Sequence, residues 1–149
     1  MAIHADRSHL TGSDGPTRID RDGIRLLSAE DGKARLQRTL DAGLSPWAAP
    51  GAIITLGNAA AAAAGTSALD APAAEHPPLT TQLSVSLFRE ASRGILTAEA
   101  ATIYRGRSTL VVDVKVRDEQ QCLVATLVVT QLAPLSASRP AVLAPRLAS

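Results

Sequence analysis

The sequence predicts an α+β domain: a curved antiparallel sheet of about six strands wrapped around one long central helix. Three observations carry this. Only one stretch, Pro50 to Gly65 (PGAIITLGNAAAAAAG), reads as a substantial helix. Strand-like runs lie on both sides of it, two before and four after, with turn residues between them. At 149 residues the chain is long enough for a single domain with a real core.

Composition narrows the class further. Hydrophobic residues make up 46% of the chain, but Trp47, Phe88 and Tyr104 are its only aromatic side chains, so the core is expected to be built from Ala, Val, Leu and Ile. A net charge of +1 gives no global electrostatic case for nucleic acid or an anionic membrane as partner. The single cysteine, Cys122, cannot close an internal disulfide and is expected to be a small buried residue at a strand start. The histidines and Cys122 are too scattered for a zinc site, and His4 and His9 alone make a weak one. No apolar core of a signal peptide opens the chain, and the helix is too short and alanine-rich for a good bilayer span, so a cytoplasmic location is the default expectation.

In chain order, residues 1–22 are rich in Gly, Ser, Asp, Thr and Pro and are expected to form a flexible arm. The domain proper is expected over residues 23–132. Ile24–Ala29 is a short strand. Glu30-Asp31-Gly32 is a turn, with glycine available for positive φ. Lys33–Leu40 alternates, with Ala34, Leu36, Arg38 and Leu40 on one side, as a half-buried strand does. Asp41–Pro50 is a loop holding Gly43, Pro46 and Trp47. That tryptophan is expected to plug the edge of the core or an interface. Proline fits the first helical turn and Gly65 can end the helix. Asn58 is the only strongly polar side chain in its middle.

Residues 66–78 contain Pro72, Pro77 and Pro78 and form a connecting loop. Leu79–Phe88 is a strand, Glu90–Gly94 a turn, and Ile95–Tyr104 a second strand. Arg105-Gly106-Arg107 makes a tight connection. Ser108–Arg117 is the clearest strand, with Leu110, Val112, Val114 and Val116 facing one way. Leu123–Leu132 is apolar on both faces, as a central or interface strand is. The last four strands are expected to follow one another as neighbours. Residues 133–149 hold three prolines without a period and are expected to be a tail. One sheet layer over one helix leaves a face uncovered, which points to a homodimer or homotetramer.

Three stretches together resemble the hotdog-fold, PaaI-like acyl-CoA thioesterase family. LSVSLFREASRG (Leu83–Gly94) is similar to the family's strand ending in a Phe-Leu-Arg-Pro-Ala-like turn. LTAEAATIYRGRSTLVVDVKVRD (Leu96–Asp118) is similar to its next two strands and their Arg-Gly-Arg-like turn. CLVATLVVTQL (Cys122–Leu132) is similar to its last strand. The resemblance implies a ligand that is an acyl-CoA or acyl-carrier thioester, with coenzyme A entering as part of the substrate and no separate cofactor.

The family usually opens its helix with His-Gly-Gly and places an acid nine positions after that histidine. Here the corresponding residues are Ala49, Pro50 and Gly51, with Asn58 at the acid position, so the motif is degenerate. Thioester hydrolysis needs a carboxylate as nucleophile or base, and a donor for the developing oxyanion. The N–H groups of Gly51 and Ala52 are the candidate donors, at the positive end of the helix. Asn58 can orient water or hydrogen-bond a carbonyl, but is no base near neutral pH. The family's hydroxyl near the start of the third strand falls on Thr80, or on Thr81 with a small shift. Glu75 and His76, with Asp41 and Asp70, are the candidates for a relocated acid or base, against a plain reading of solvated loop residues. The resemblance also implies that some of Arg89, Arg93, Arg105 and Arg107, with Gly106 between the last two, meet coenzyme A phosphates; the alternative is surface charge. Two functions follow: a thioesterase with an altered catalytic set, or a catalytically inactive protein that binds an acyl ligand or serves as an interaction module. A dehydratase is a third, but no Asp/His pair at a plausible spacing supports it.

Overall fold

The computed structural model of the chain describes residues 23–41, 44–69 and 76–134. The expected arm, the expected tail beyond residue 134, Asp70 and Glu75 lie outside these residues. The elements run β1 (Ile24–Glu30), β2 (Lys33–Leu40), α1 (Ala49–Ser67), β3 (Leu79–Leu87), β4 (Gly94–Arg105), β5 (Thr109–Arg117) and β6 (Leu123–Leu132). The strands form one antiparallel sheet in the order β1-β2-β4-β5-β6-β3, and α1 packs on it.

β1 and β2 form the expected hairpin, with Glu30 opposite Lys33. Asp31 and Gly32 between them have φ of 50° and 78°, the pair of positive values that a two-residue hairpin turn needs to match strand twist. The Gly32 N–H then donates to Ser67 Oγ at 2.9 Å, tying the hairpin tip to the end of the helix.

The last four strands are not consecutive neighbours, as the sequence had suggested. Only β4, β5 and β6 are. β3 crosses to the far edge and pairs with β6, Leu79 opposite Leu132 and Leu87 opposite Ala125, while β4 takes the place beside β2. Side-chain character explains the exchange. Leu96, Ala98 and Ala100 of β4 are buried apolar residues. β3 alternates Thr80, Gln82, Ser84 and Ser86 with a few apolar residues, and none of its nine residues is fully buried. It suits an edge.

On α1, Ala49, Ala52, Ile53, Leu56, Gly57, Ala60, Ala61, Ala64 and Gly65 are buried, a 3.6-residue stripe against the sheet. Gly65 does not end the helix; two further residues follow it. Its role is close approach: a Cβ there would strike the Gln131 side chain. Gly57 does the same, since a Cβ would lie 2.6 Å from a Leu127 methyl. Gly57 and Gly65 are about 12 Å apart along a helix. Leu127 and Gln131 are about 13 Å apart along a strand. The match lets α1 settle along β6 in two notches. Leu127 and Val129 of β6 and Val112, Val114 and Val116 of β5 complete a core that is fully buried and free of aromatic rings.

Two residues depart from expectation. Trp47 is 93% exposed in the single chain, so it plugs no core edge. Cys122 is exposed rather than buried. It belongs to the turn before β6, where Asp118 Oδ1 accepts the N–H groups of Gln120 and Cys122 at 3.0 and 2.9 Å.

Candidate functional site

The helix begins without a side-chain cap. Its first N–H groups are satisfied from the loop instead: Ser45 O accepts from Ala48 at 3.0 Å and from Ala49 at 3.1 Å. Pro50 has no N–H. The Ala52 N–H is already committed to Ala48 O at 3.2 Å, and Ala52 is buried, so it is not available as a donor to a ligand. Of the two expected donors only the Gly51 N–H remains, with no acceptor among the described residues. Gly51 is exposed, and a Cβ built on it meets nothing within 4 Å. This is open space at the positive end of a helix dipole.

Asn58 follows seven residues later, half-buried. Seven steps of 100° fall about 20° short of two full turns, so Gly51 and Asn58 share a face, about 10.5 Å apart along the axis. Thr80 Oγ1 donates to Asn58 Oδ1 at 2.8 Å, joining the start of β3 to the middle of α1. Thr81 faces away and donates to Thr130 O at 3.2 Å; the ladder bulges between Thr80 and Gln82. Sequence reasoning missed Thr55. It lies four residues after Gly51 and three before Asn58, spacing that puts it on the same face, and its hydroxyl donates to Gly51 O at 2.8 Å.

His76 is exposed, and no hydrogen bond or ion pair among the described residues joins it to Asn58. Asp41 is also exposed. Among the described residues no group of three or more His, Cys, Asp or Glu is arranged to hold a metal ion.

Beside the helix N-terminus lies a cleft of about 290 Å³. Pro46, Ala49, Pro50 and Ile53 line it from the helix side, and Leu87 and Phe88 from the end of β3. Arg89, Glu90, Ala91 and Ser92 complete it from the loop that follows. Phe88 is 58% exposed, leaving much of its ring open to a ligand or partner. Arg89 Nη1 lies 3.5 Å from Asp118 Oδ2, on the neighbouring β5–β6 turn. Arg93 is exposed in the same loop as Arg89.

The four arginines grouped by the sequence reading are split in two. Arg89 and Arg93 precede β4; Arg105 ends it, and Gly106 and Arg107 follow. The eleven steps of β4 put about 36 Å between the pairs. Within one chain they cannot serve one ligand together. Gly106 is part of a tight turn, its N–H donating to Thr109 O at 2.7 Å.

The family model described as Thioesterase superfamily matches residues 50–125, just over half of the chain. No curated protein sequence matches it. Among solved structures, a mutant of a thioesterase enzyme from Staphylococcus aureus is 25% identical, with a TM-score of 0.66 over 74% of this chain and 93% of that one. The PaaI protein of the E. coli phenylacetic acid degradation operon is 23% identical, with a TM-score of 0.67 over 76% and 81%. A Streptococcus mutans protein bound to acetyl-CoA is 22% identical, with a TM-score of 0.64 over 73% and 86%. These likenesses show the hotdog fold.

Proposed function

Because the chain belongs to the thioesterase superfamily, we propose that it receives an acyl-CoA or acyl-carrier thioester on the outer face of α1 and hydrolyses it slowly at most. One observation carries this reading. The Gly51 N–H, without an acceptor among the described residues, and the Asn58–Thr80 pair share one helix face, exposed at Gly51 and half-buried at Asn58. The structure with acetyl-CoA bound, similar in fold, supports the choice of ligand.

The site needs two copies of the chain. A carbonyl oxygen accepts hydrogen bonds at about 3 Å. It cannot reach two groups about 10.5 Å apart on one helix. Two antiparallel copies bring Gly51 of one helix toward Asn58 of the other. The sheet edges favour such pairing. β1 carries Arg25, Glu30 and a bulge, all of which discourage further strand addition. β3 runs nine residues, LTTQLSVSL, without a charge or a proline. Pairing β3 with its own copy continues the sheet and covers part of Leu79, Leu87 and Phe88, which are exposed in the single chain. The exposed Trp47, next in the chain to Pro46 of the cleft, suits the interface role that the sequence reading offered for it.

Hydrolysis places water on the carbonyl carbon and breaks the C–S bond, the thiolate leaving and taking up a proton. A base must receive the proton of the attacking water. Asn58 orients the water but cannot take that proton. The Gly51 N–H stabilises the oxyanion without supplying a base. Arg89 and Arg93, near the same end of the helix, are the better placed of the four arginines for phosphates of a ligand seated there.

Calorimetric titration with coenzyme A and acetyl-CoA, paired with a thiol-release assay, tests the proposal. We expect both ligands to bind, with turnover far below that of Asn58→Asp. Absence of binding by any coenzyme A conjugate would overturn the acyl-CoA reading. The alternative, a catalytically inactive acyl-binding module, is favoured by the same Asn58 and corresponds to binding with no turnover at all.

A further inference from the structure

An amide presents opposite chemistry at its two ends, an acceptor oxygen and a donor NH2. In Asn58 the oxygen end is the one turned toward β3. Thr80 Oγ1 donates its only hydrogen to Asn58 Oδ1 at 2.8 Å, which engages the oxygen. No acceptor for Nδ2 is found among the described residues. The Thr55 hydroxyl hydrogen is spent on Gly51 O, one turn away. The protons this face offers a ligand are therefore the Gly51 N–H and the Asn58 NH2. No residue of α1 is ionisable, so nothing on the helix opposes the positive end of its dipole.

We propose that Thr80 fixes Asn58 as a hydrogen-bond donor, so that the site selects coenzyme A conjugates bearing an oxygen acceptor at the acyl position, a thioester carbonyl or a carboxylate, and holds them without cleaving them. This rests on the acyl-thioester reading above and gives it a direction. A carboxylate at position 58 would repel an acidic ligand. An amide turned donor-outward attracts one, and a hydrogen bond to an ionised acceptor is the stronger kind. A neutral conjugate lacking the oxygen forgoes the hydrogen bond that the Asn58 NH2 would donate.

Three conjugates separate the possibilities: acetyl-CoA, S-carboxymethyl-CoA and S-ethyl-CoA, titrated against the full-length protein beside unmodified coenzyme A. We expect acetyl-CoA and S-carboxymethyl-CoA to bind about tenfold more tightly than S-ethyl-CoA. Asn58→Asp should invert the order, leaving S-carboxymethyl-CoA weakest. Thr80→Val should flatten the preference by freeing the amide to turn. Equal binding of the three conjugates by the wild-type protein, with coenzyme A bound normally, would overturn the inference and leave the thioester reading standing. So would rapid release of thiol from acetyl-CoA. Failure of coenzyme A and every conjugate to bind would overturn the acyl-CoA reading beneath it as well.

Discussion

Gly51 and Gly57 sit six residues apart in the same helix and serve opposite ends. Gly57 faces the sheet, where a single methyl would press against Leu127. Gly51 faces open space, where a methyl would touch nothing. The first glycine is required for what it lets in, the second is tolerated for what it leaves out. The same contrast separates the two faces of α1. The inner face is a fitted surface made of Gly57, Gly65 and small alanines. The outer face carries Gly51 and Asn58, whose donors have no acceptor among the described residues, and Thr55, whose hydroxyl is spent on Gly51 O. A helix built almost entirely of small apolar residues thus holds the fold on one side and offers chemistry on the other.

Substitutions on the two faces should therefore separate stability from ligand chemistry. The largest effect is expected from Leu127→Ala on the inner face. It removes a fully buried side chain from the Gly57 notch and should cost about 2–5 kcal/mol, seen as a lower denaturant midpoint. On the outer face, Asn58→Asp should raise thioester turnover by about 10²-fold or more by restoring a base, with little change in the unfolding midpoint. Equal turnover by wild type and variant would show that a base lies elsewhere. Gly57→Ala should destabilise by about 1 kcal/mol, as overpacking against Leu127 outweighs the gain in helix propensity. Gly51→Ala is the smallest change. It should stabilise by about 0.5–1 kcal/mol and leave coenzyme A affinity alone, because the N–H survives. If Gly57→Ala proved harmless and Gly51→Ala harmful, the two faces would have been assigned the wrong way round.

Much of this was written in local pattern. The alternation of Leu110, Val112, Val114 and Val116 marks β5, and the Asp31-Gly32 turn marks the first hairpin, because strand period and turn chemistry act over a few residues. The pairing of Asn58 with Thr80 was accessible only through family resemblance, since 22 residues separate them and no local rule connects them. Strand neighbours were harder. Whether β3 pairs with β4 or β6 depends on where α1 delivers the chain, and the helix must be placed on the sheet first. Gly65 misled for a related reason: glycine near a helix end serves equally as a stop or as a notch, and only Gln131 beneath it decides. Trp47 and Cys122 show the limit of residue averages, because one lies in a loop and the other in a turn outside the core they usually join. The four arginines looked like one group because they flank a single strand; the length of that strand sets them apart.

The exposed indole next in the chain to Pro46 has a practical consequence. Trp47 is the only tryptophan in the chain, so its emission is the only indole signal the protein has. In the isolated chain it is surrounded by solvent and should emit near the red limit for a hydrated indole. Anything that covers the neighbouring surface, whether a second copy or a seated ligand, should shift that emission to the blue. Dilution and ligand titration can then be followed on the same natural fluorophore, with no label and no added mutation.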